Sequence, residues 1–302
     1  KEAGLDMTES GMIAVDEYLR TSDPDIYSGG DCIENIDIVT GGTLYAPLGS
    51  TANKHGRVIG TNVTGGSITF PGVLGTSIMK TCGMNVARTG LTAEVAEKKG
   101  YKVVTSLVSG NDKSHFYPGG KDMMIKLVVD ADSRQVLGAQ IIGAGEVARR
   151  MDAVVGMMEF RTTVDRLADI DMCYAPPFSA AIDPLIHCAN AVRNKLDDDA
   201  RGVSIQETDR MLKSDDDFVL LDVLTEKEAQ NTPFKDDKRY INLPLETIRA
   251  SSERIPSGKP VVIVCALGVR SYEIQKMLIQ QGFGDVTYME GGIHAWKKTD
   301  LE

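Results

Sequence analysis

Residues 261–282 read VVIVCALGVRSYEIQKMLIQQG, and this stretch decides the fold of the last third of the chain. Residues 261–264 are apolar without alternation, which indicates a central strand buried on both faces. A helical pattern follows and ends at Gly282, with apolar positions at Ile274, Met277 and Leu278. Cys265 therefore lies at the carboxyl end of a predicted parallel strand, the edge at which open α/β sheets place their ligand sites.

The loop between this strand and this helix has the composition of an anion site. Gly268 can adopt a positive φ that turns successive N–H groups inward, and the helix start adds the positive end of its dipole. Both effects favour Cys265 as a thiolate, while Arg270 either adds positive charge or braces the loop. The alternative is an inert buried cysteine, but such a residue needs neither the glycine, the arginine nor the helix start. The predicted loop comprises Ala266, Leu267, Gly268, Val269, Arg270 and Ser271.

Composition and charge restrict the class of protein. The 302 residues allow two or three domains, and 42% hydrophobic with 25% charged residues is typical of a soluble globular protein. A net charge of −10 argues against nucleic acid as a partner, and no apolar run approaches the length of a membrane span. Five cysteines without a CxxC pair favour a reducing cytoplasm, and with four scattered histidines they predict no metal site.

The pattern of elements changes at the polar, acidic stretch KLDDDARG, residues 195–202, which predicts a linker. After it, the strand patterns DFVLLDVL, YINLPL and KPVVIVC alternate with helices, which indicates a mainly parallel sheet. Before it, residues 121–143 predict a β-hairpin that turns at 130–133, and residues 146–160 predict a helix. We therefore divide the chain into domains at residues 1–64, 65–196 and 203–302, with a linker at 197–202.

The length of the loop distinguishes two kinds of cysteine chemistry. Four residues separate Cys265 from Arg270, whereas cysteine phosphatases use a longer loop that seats a tetrahedral phosphate. With LLDV before it and EGGIHAW after it, CALGVRS resembles the rhodanese family from about Val203 to Lys298. This resemblance implies that Cys265 takes sulfur from a small-molecule donor, carries it as a persulfide, and passes it to a thiol acceptor. The chain departs from the family with Leu224 in place of the usual arginine and with DDKRYINLPL in place of GHIPGA.

A second pattern lies in residues 23–34, DPDIYSGGDCIE, which predict a short strand ending in Gly29-Gly30-Asp31. A helix is predicted after Pro47. Glycines allow close backbone approach to a ligand, although acids beside glycines also simply make turns. The string as a whole is similar to the FAD-binding signature of pyridine nucleotide-disulfide oxidoreductases. That resemblance implies that Asp31 contacts the flavin ribityl chain and that residues 47–57 lie near the isoalloxazine. The implied cofactor-binding residues are Gly30, Asp31, Pro47, Leu48 and Ala52.

Residues 174–185, YAPPFSAAIDPL, are similar to the dimerisation domain of the same family. By this resemblance, Tyr117 in HFYPGG and Tyr174 lie near the redox site of the partner subunit and join Cys265 and Arg270 as catalytic residues. Plain packing is the alternative for both tyrosines. A helix predicted over residues 178–196 has an apolar stripe, which serves either a homodimer or an intrachain core, at Ala181, Leu185, Ala189 and Val192.

Together, the two patterns resemble coenzyme A disulfide reductases with a fused rhodanese domain, a group that includes NADH-dependent polysulfide and persulfide reductases. The resemblance implies an α/β and α+β multidomain protein with a partial FAD-binding segment, an α+β dimerisation domain and a rhodanese-like parallel α/β domain. It also implies FAD and NAD(P)H as cofactors, coenzyme A as a candidate ligand, and a homodimer. A non-catalytic dimerising scaffold with a sulfur-sensing or partner-binding rhodanese-like domain is the alternative.

The sequence lacks the GxGxxG turns and the early redox cysteine of such a reductase, so it resembles the C-terminal portion. We therefore expect weak FAD binding by this chain and at most the sulfur-transfer half of the activity. Gly143, Gly145 and Ala148 have GxGxxA spacing, but their strand closes a hairpin and no second parallel strand follows. These glycines predict close helix–sheet packing and not a dinucleotide site.

Overall fold

The computed structural model describes residues 3–299, which form two compact units. The first contains residues 3–77 and 88–90, and the second contains residues 78–87 and 91–299. Residues 1–2 of the first predicted domain and 300–302 of the last lie outside the described residues. The predicted domain boundaries stay predictions. Among the described residues, no helix combines the length and the apolar character that a membrane span requires.

The first unit is built around one helix that packs on short strands and loops. Its core comprises Leu19, Ile33, Val58 and Phe70. The helix predicted after Pro47 is confirmed. In chain order the elements are a 3₁₀ helix Gly30–Cys32, the antiparallel strands β1 (Asn35–Ile36) and β2 (Thr43–Leu44), and helix α1 (Gly49–Val63).

The short strand predicted before Gly29 is wrong. Residues 23–29 form turns with one isolated bridge, between Tyr27 and Arg20. The Asp23 carboxylate accepts a hydrogen bond from the Asp25 N–H. This bond closes a local turn, which competes with the backbone pairing that a strand requires. Gly30 then adopts φ +76° and leads into the 3₁₀ helix.

A five-stranded sheet with the order β3-β4-β7-β6-β5 lies largely in the second unit. The predicted hairpin is confirmed, because β6 and β7 pair antiparallel and the Asp130 carboxylate accepts hydrogen bonds from Ser133 in the turn. The predicted helix over 146–160 is also confirmed. The strands are β3 (Ser77–Thr81), β4 (Met84–Gly90), β5 (Val103–Asn111), β6 (Asp122–Asp130) and β7 (Val136–Gly143). The helices are α2 (Ala93–Lys98), α3 (Val147–Met158), α4 (Val164–Ala168) and α5 (Pro184–Leu196).

Helix α5 begins six residues later than predicted, at Pro184 and not at Phe178. Proline suits the first helical turn because its missing N–H has no partner there, and the Asp183 carboxylate caps the helix by accepting from the Leu185 N–H. Ala181 is exposed outside the helix, whereas the rest of the predicted stripe is fully buried where α5 packs on β5 and β6. The intrachain alternative for the stripe is therefore confirmed.

Residues 202–299 form a parallel sheet with the order β10-β9-β11-β12-β8. The parallel α/β prediction is confirmed, and β11 is central, with at most 1% exposure of its side chains. The strands are β8 (Gly202–Val203), β9 (Val219–Asp222), β10 (Tyr240–Asn242), β11 (Val261–Val264) and β12 (Val286–Met289). The helices are α6 (Ile205–Lys213), α7 (Glu226–Ala229), α8 (Ile248–Ser251), α9 (Val269–Gln280) and α10 (Gly292–Trp296), with a 3₁₀ helix at Ser252–Arg254.

Candidate active site

Cys265 follows the last residue of β11 and is 1% exposed. Its Sγ accepts a hydrogen bond from the Gly268 N–H at 3.1 Å. Gly268 adopts φ +99° and is the N-cap of α9, where no side chain caps the helix. The loop was predicted to offer a ring of amides to the sulfur. Among the described residues, the Gly268 N–H is the one amide of that ring that donates to it. A donor aimed at sulfur, close to an uncapped helix N-terminus, stabilises negative charge there.

Helix α10 holds the loop from the opposite side. The Ile293 N–H donates to the carbonyl of Cys265 at 2.8 Å, and the His294 N–H donates to the carbonyl of Ala266 at 3.0 Å. The C=O and N–H of a trans peptide point in opposite directions, so the next two loop amides point away from α10. A Cβ on Gly292 would lie 2.5 Å from the Ala266 oxygen, so this close approach requires glycine. In the sequence, the two glycines of EGGIHAW are the signal of this close approach.

Arg270 braces the loop, which is one of its two predicted roles. Its guanidinium donates to both carboxylate oxygens of Glu228, at 2.9 and 3.2 Å. Glu228 also completes a capping box with Thr225 at the start of α7. The hydrogen bonds from Arg270, followed by those from Thr225, lower the pKa of Glu228 to about 2. The Glu228 carboxylate in turn raises the pKa of Arg270, so both groups are charged.

A buried carboxyl group stands beside the site on the neighbouring strand. Asp222 of β9 pairs in register with Val264, the residue before Cys265, and is fully buried. Its carboxyl group accepts from the Leu224 N–H at 2.9 Å and from the Tyr240 hydroxyl at 3.0 Å. Burial raises the pKa of Asp222. Leu224, which replaces the usual arginine, is buried, so no cation stands at that position.

A carboxylate ties the loop region to the antiparallel sheet. Glu290, at the end of β12, is 4% exposed and precedes the glycines that start α10. It accepts from the Lys195 ammonium of α5 at 2.7 Å and from the Leu107 N–H of β5 at 3.2 Å. Sequence reasoning missed this contact, because it joins residues 95 positions apart. It holds the loop against the antiparallel sheet.

A cavity of about 280 Å³ opens beside the loop, with Ala266 and Leu267 among its lining residues. Charged groups stand at its edge, since Glu228 and Lys297 also line it. Ser271, the last residue of the predicted loop, is fully buried, and its hydroxyl has no hydrogen-bond partner among the described residues.

In the first unit, the predicted flavin-binding residues come together at the start of α1. The Gly30 N–H donates to Nδ1 of His55 at 2.9 Å, and a Cβ on Gly30 would lie 3.6 Å from that of Ala52. Leu48, which follows Pro47, is the N-cap of α1 and supplies no side-chain cap, so the first helix amides stay available to a ligand. The exposed Asp31 lies in the adjoining 3₁₀ helix. This arrangement fits the ribityl and ring portions of a flavin.

His55 positions this loop and was missed by sequence reasoning. It is 1% exposed and packs edge-on against Phe70, with ring centroids 4.4 Å apart. Burial lowers its pKa, so the ring is neutral and its Nδ1 accepts from Gly30. A Cβ on Gly29 would lie 2.9 Å from the Cβ of His55, which explains the glycine there.

The two predicted catalytic tyrosines are both on the surface. Tyr117 is 37% exposed and Tyr174 is 53% exposed, and neither hydroxyl bonds to another described residue. The Lys113 ammonium lies over the Tyr117 ring, 5.7 Å from its centroid. The catalytic role of the two tyrosines stays a prediction. Two further aromatic residues nearby in sequence, Phe116 and Phe178, are more than 60% exposed.

The GxGxxA glycines are closely packed, but the predicted helix–sheet contact is wrong, because their near neighbours do not belong to a helix. A Cβ on Gly143 would lie 2.6 Å from the Cα of Met123 on β6, and one on Gly145 would lie 2.6 Å from the Asp112 carboxylate. The close neighbours are thus a strand and a side chain of the same unit.

Comparison with known proteins finds family matches in three parts of the chain. Residues 1–46 match the pyridine nucleotide-disulphide oxidoreductase family, and residues 76–186 match the pyridine nucleotide-disulphide oxidoreductase dimerisation domain. Residues 204–299 match the rhodanese-like domain.

Two solved structures resemble nearly the whole chain. An NAD-dependent persulfide reductase from A. fulgidus is 41% identical with a TM-score of 0.90, over 98% of this chain and 53% of that one. The reduced CoADR-RHD of Bacillus anthracis is 34% identical with a TM-score of 0.88, over 97% of this chain and 52% of that one.

A curated relative, the NAD(P)H sulfur oxidoreductase (CoA-dependent) of Pyrococcus furiosus, is 39% identical over 193 residues. The match covers 64% of this chain and 43% of the relative. The chain thus spans about half the length of the proteins it matches.

Proposed function

We propose that the chain is part of a flavin-dependent pyridine nucleotide-disulphide oxidoreductase that carries a rhodanese-like domain, and that it acts in sulfur reduction. It forms the C-terminal portion of an FAD- and NAD(P)H-dependent CoA-disulfide, persulfide or polysulfide reductase. Cys265 carries sulfane sulfur as a persulfide. The observation that carries this proposal is the Gly268 N–H at 3.1 Å from the Cys265 Sγ, at the carboxyl end of the central strand.

The sulfur step needs no net oxidant. The Cys265 thiolate attacks the outer sulfur of a donor such as thiosulfate, an S–S bond to Cys265 forms, and sulfite leaves with the electron pair of the broken bond. An acceptor thiolate then attacks the outer sulfur of the persulfide. The new S–S bond belongs to the acceptor, and Cys265 leaves as a thiolate. In each step, the Gly268 amide stabilises the negative charge on sulfur.

The flavin-side residues act by binding and orientation. Asp31 would accept hydrogen bonds from the ribityl hydroxyls of the flavin. Pro47, Leu48 and Ala52 would hold its ring system, and Gly30 would permit close approach. When bound, FAD supplies two-electron transfer from NAD(P)H, which cleaves the S–S bond of a disulfide or persulfide. Coenzyme A is a candidate for the thiol that presents the sulfur to it, in keeping with the CoA-dependent relative.

A homodimer is part of the proposal. It is supported by the dimerisation-domain match and by the exposed aromatic surface that includes Tyr117 and Tyr174. These two tyrosines lie near the redox site of the partner subunit. Sedimentation at micromolar concentration tests the assembly, and a monomer would remove this part of the proposal. Five free cysteines suit a reducing cytoplasm.

Intact mass spectrometry after incubation with thiosulfate tests the sulfur-carrier role. We expect the mass to rise by one sulfur atom in the wild type and not in Cys265→Ala. The exposed Cys32, Cys82 and Cys173 serve as internal controls, because sulfur on them persists in the variant. No gain at Cys265 would favour the alternative, a non-catalytic dimerising scaffold with a sulfur-sensing or partner-binding rhodanese-like domain.

A further inference from the structure

The carboxylate of Glu290 joins the antiparallel and parallel sheets of the second unit, and its side chain is 5% exposed. Its Oε1 lies 2.7 Å from the Lys195 ammonium, which also donates to the Thr105 carbonyl at 2.8 Å. The Ser106 hydroxyl donates to the same oxygen at 3.4 Å. Its Oε2 accepts from the Leu107 N–H at 3.2 Å. Both carboxylate oxygens are therefore held, by α5 and by β5, and the buried charge has a counter-charge.

Two glycines leave the space for this contact. Gly202 lies on β8, which pairs with β12, and a Cβ on it would be 2.5 Å from the Glu290 Oε1. Gly291 adopts φ +73°, and a Cβ on it would be 3.2 Å from the Leu107 side chain. A larger residue at position 202 would displace the carboxylate. The backbone around Glu290 is thus shaped to let β12 approach β5 closely.

The residues that follow Glu290 hold the Cys265 loop, residues 265–271. The N–H groups of Ile293 and His294 donate to the carbonyls of the first two loop residues, at 2.8 and 3.0 Å. Ile293 is three positions after Glu290, and the intervening glycines start α10. Because this stretch is short and hydrogen-bonded, a displacement of Glu290 displaces the amides that hold the loop.

The sulfur contact depends on where the Cys265 loop lies. The Gly268 N–H belongs to this loop and donates to the Cys265 Sγ at 3.1 Å. Hydrogen bonds weaken steeply as their distance and angle depart from the ideal. A small movement of the loop therefore reduces the stabilisation of negative charge on the sulfur.

We propose that Glu290 and Lys195 are positioning residues for sulfur transfer. The pair fixes the start of α10, and α10 fixes the Cys265 loop, so that the Gly268 N–H stays aimed at the sulfur. The proposal rests on the sulfur-carrier function of Cys265 and adds two residues outside the loop that control it. Its consequence is that sulfur transfer by the parallel sheet depends on its docking against the antiparallel sheet.

Glu290→Gln in the full chain is the first test, because it keeps the size of the side chain and removes the charge. An amide nitrogen cannot accept a hydrogen bond, so it opposes either the Lys195 ammonium or the Leu107 N–H and loses that contact. Single-turnover loading by thiosulfate is followed by intact mass at several donor concentrations. The maximal rate should fall about threefold to tenfold, the range for one lost hydrogen bond. The half-saturating thiosulfate concentration should stay unchanged, because Glu290 acts on the loop and not on the donor.

Variants of Lys195 test the same contact from α5. Lys195→Met removes the ammonium and should slow loading to a similar degree. Lys195→Arg keeps a positive charge and N–H donors, so it should restore most of the rate. The double variant of Glu290→Gln and Lys195→Met should be no slower than the slower single variant, because both changes break one contact. Rates that fell independently in the double variant would contradict a shared positioning role.

Asp237→Asn is the matched control for a general loss of stability. Asp237 pairs with Arg239 at 2.7 Å, and their side chains are 20% and 8% exposed, comparable to 5% and 20% for Glu290 and Lys195. Asp237 precedes β10, so it lies at the amino edge of the parallel sheet, whereas the Cys265 loop lies at the carboxyl edge. Asp237→Asn should lower the unfolding temperature without slowing sulfur loading. Equal slowing in Asp237→Asn and Glu290→Gln would overturn the proposal.

Hydrogen–deuterium exchange measures the position of the loop without sulfur chemistry. Glu290→Gln should increase exchange in peptides that cover residues 265–271 and 290–297, and Asp237→Asn should not. If wild-type Cys265 takes up no sulfur, the sulfur-carrier function is refuted, and the exchange result decides whether the pair holds the loop. If the wild type is loaded and Glu290→Gln is loaded at the same maximal rate, the positioning role is overturned and the sulfur-carrier function stands.

Discussion

Cys188 and Cys265 are shut off from solvent to the same degree, at 0% and 1% exposure, but their sulfur atoms face opposite kinds of backbone group. The Cys188 Sγ donates to two carbonyls, of Ser106 and Ile125, at 3.4 Å each. The Cys265 Sγ instead accepts from an amide. Burial raises the pKa of Cys188 to about 12, so that residue stays a thiol. The difference shows that burial alone does not identify an inert cysteine, because a backbone carbonyl beside sulfur favours the thiol and a backbone amide favours the thiolate.

The most direct test of this difference between Cys188 and Cys265 removes each sulfur atom in turn. Cys265→Ala should abolish the mass gain from thiosulfate, whereas Cys188→Ala should leave it unchanged. The second variant loses packing in the α5–β5 layer and should lower the free energy of unfolding by about 1 kcal/mol, as small core truncations do. Urea denaturation measures the latter. If Cys188→Ala also abolished sulfur loading while remaining folded, the two thiols would not have separate roles.

The next test changes the amide that distinguishes Cys265. Gly268→Ala forces an L-residue to adopt φ +99°, a conformation that side chains rarely take. The loop should relax away from it and move the N–H from the sulfur. We expect the rate of sulfur loading to fall about tenfold, a loss comparable to that of one donor to an anion. Single-turnover loading followed by mass spectrometry measures this rate.

Gly282→Ala is the matched control for backbone strain. Gly282 ends α9 with φ +92°, and a Cβ there meets nothing within 4 Å. Both variants should lose about 1 kcal/mol of stability from the positive φ, but only Gly268→Ala should slow sulfur loading. Equal loading rates in the two variants would show that the Gly268 amide is not needed.

The local part of this site could be predicted from the sequence. An unbroken apolar run, a glycine and a helical repeat follow one another within residues 261–282, and each depends on neighbours along the chain. The same holds for the β6–β7 hairpin and for α1. The position of Cys265 at the end of a central strand followed from these patterns alone.

The contacts that hold the Cys265 loop in place could not be predicted, because they join segments that are distant in sequence. The α10 amides that hold the loop carbonyls come from residues 28 positions away, and Glu290 meets Lys195 across 95 positions. The start of α5 was misplaced for a different reason. The apolar spacing extends upstream of Pro184, but the Asp183 cap and the proline together fix the true boundary.

The smallest expected effect comes from a test that compares two sources of stabilisation for the Cys265 thiolate. One is the Gly268 amide, and the other is the charge of Arg270. Glu228 has a pKa of about 2 in the fold against 4.5 ordinarily, because Arg270 donates to it. A lowered pKa means that the pair stabilises the fold fully above pH 4.5 and loses this contribution as the pH falls from about 4.5 towards 2. Both side chains are about 40% exposed, so solvent screening limits the contribution to about 0.5 kcal/mol.

Glu228→Gln keeps the capping box, since glutamine serves at that position, and removes the charge. The stability difference from wild type, measured by urea denaturation at several pH values, should be constant above about pH 5.5 and shrink below pH 4.5. The variant also leaves the Arg270 charge uncompensated beside Cys265. If the Gly268 amide provides most of the stabilisation of the thiolate, the rate of sulfur loading should still change less than about threefold. A larger acceleration would assign the stabilisation of the Cys265 thiolate to Arg270 and weaken the contrast with Cys188.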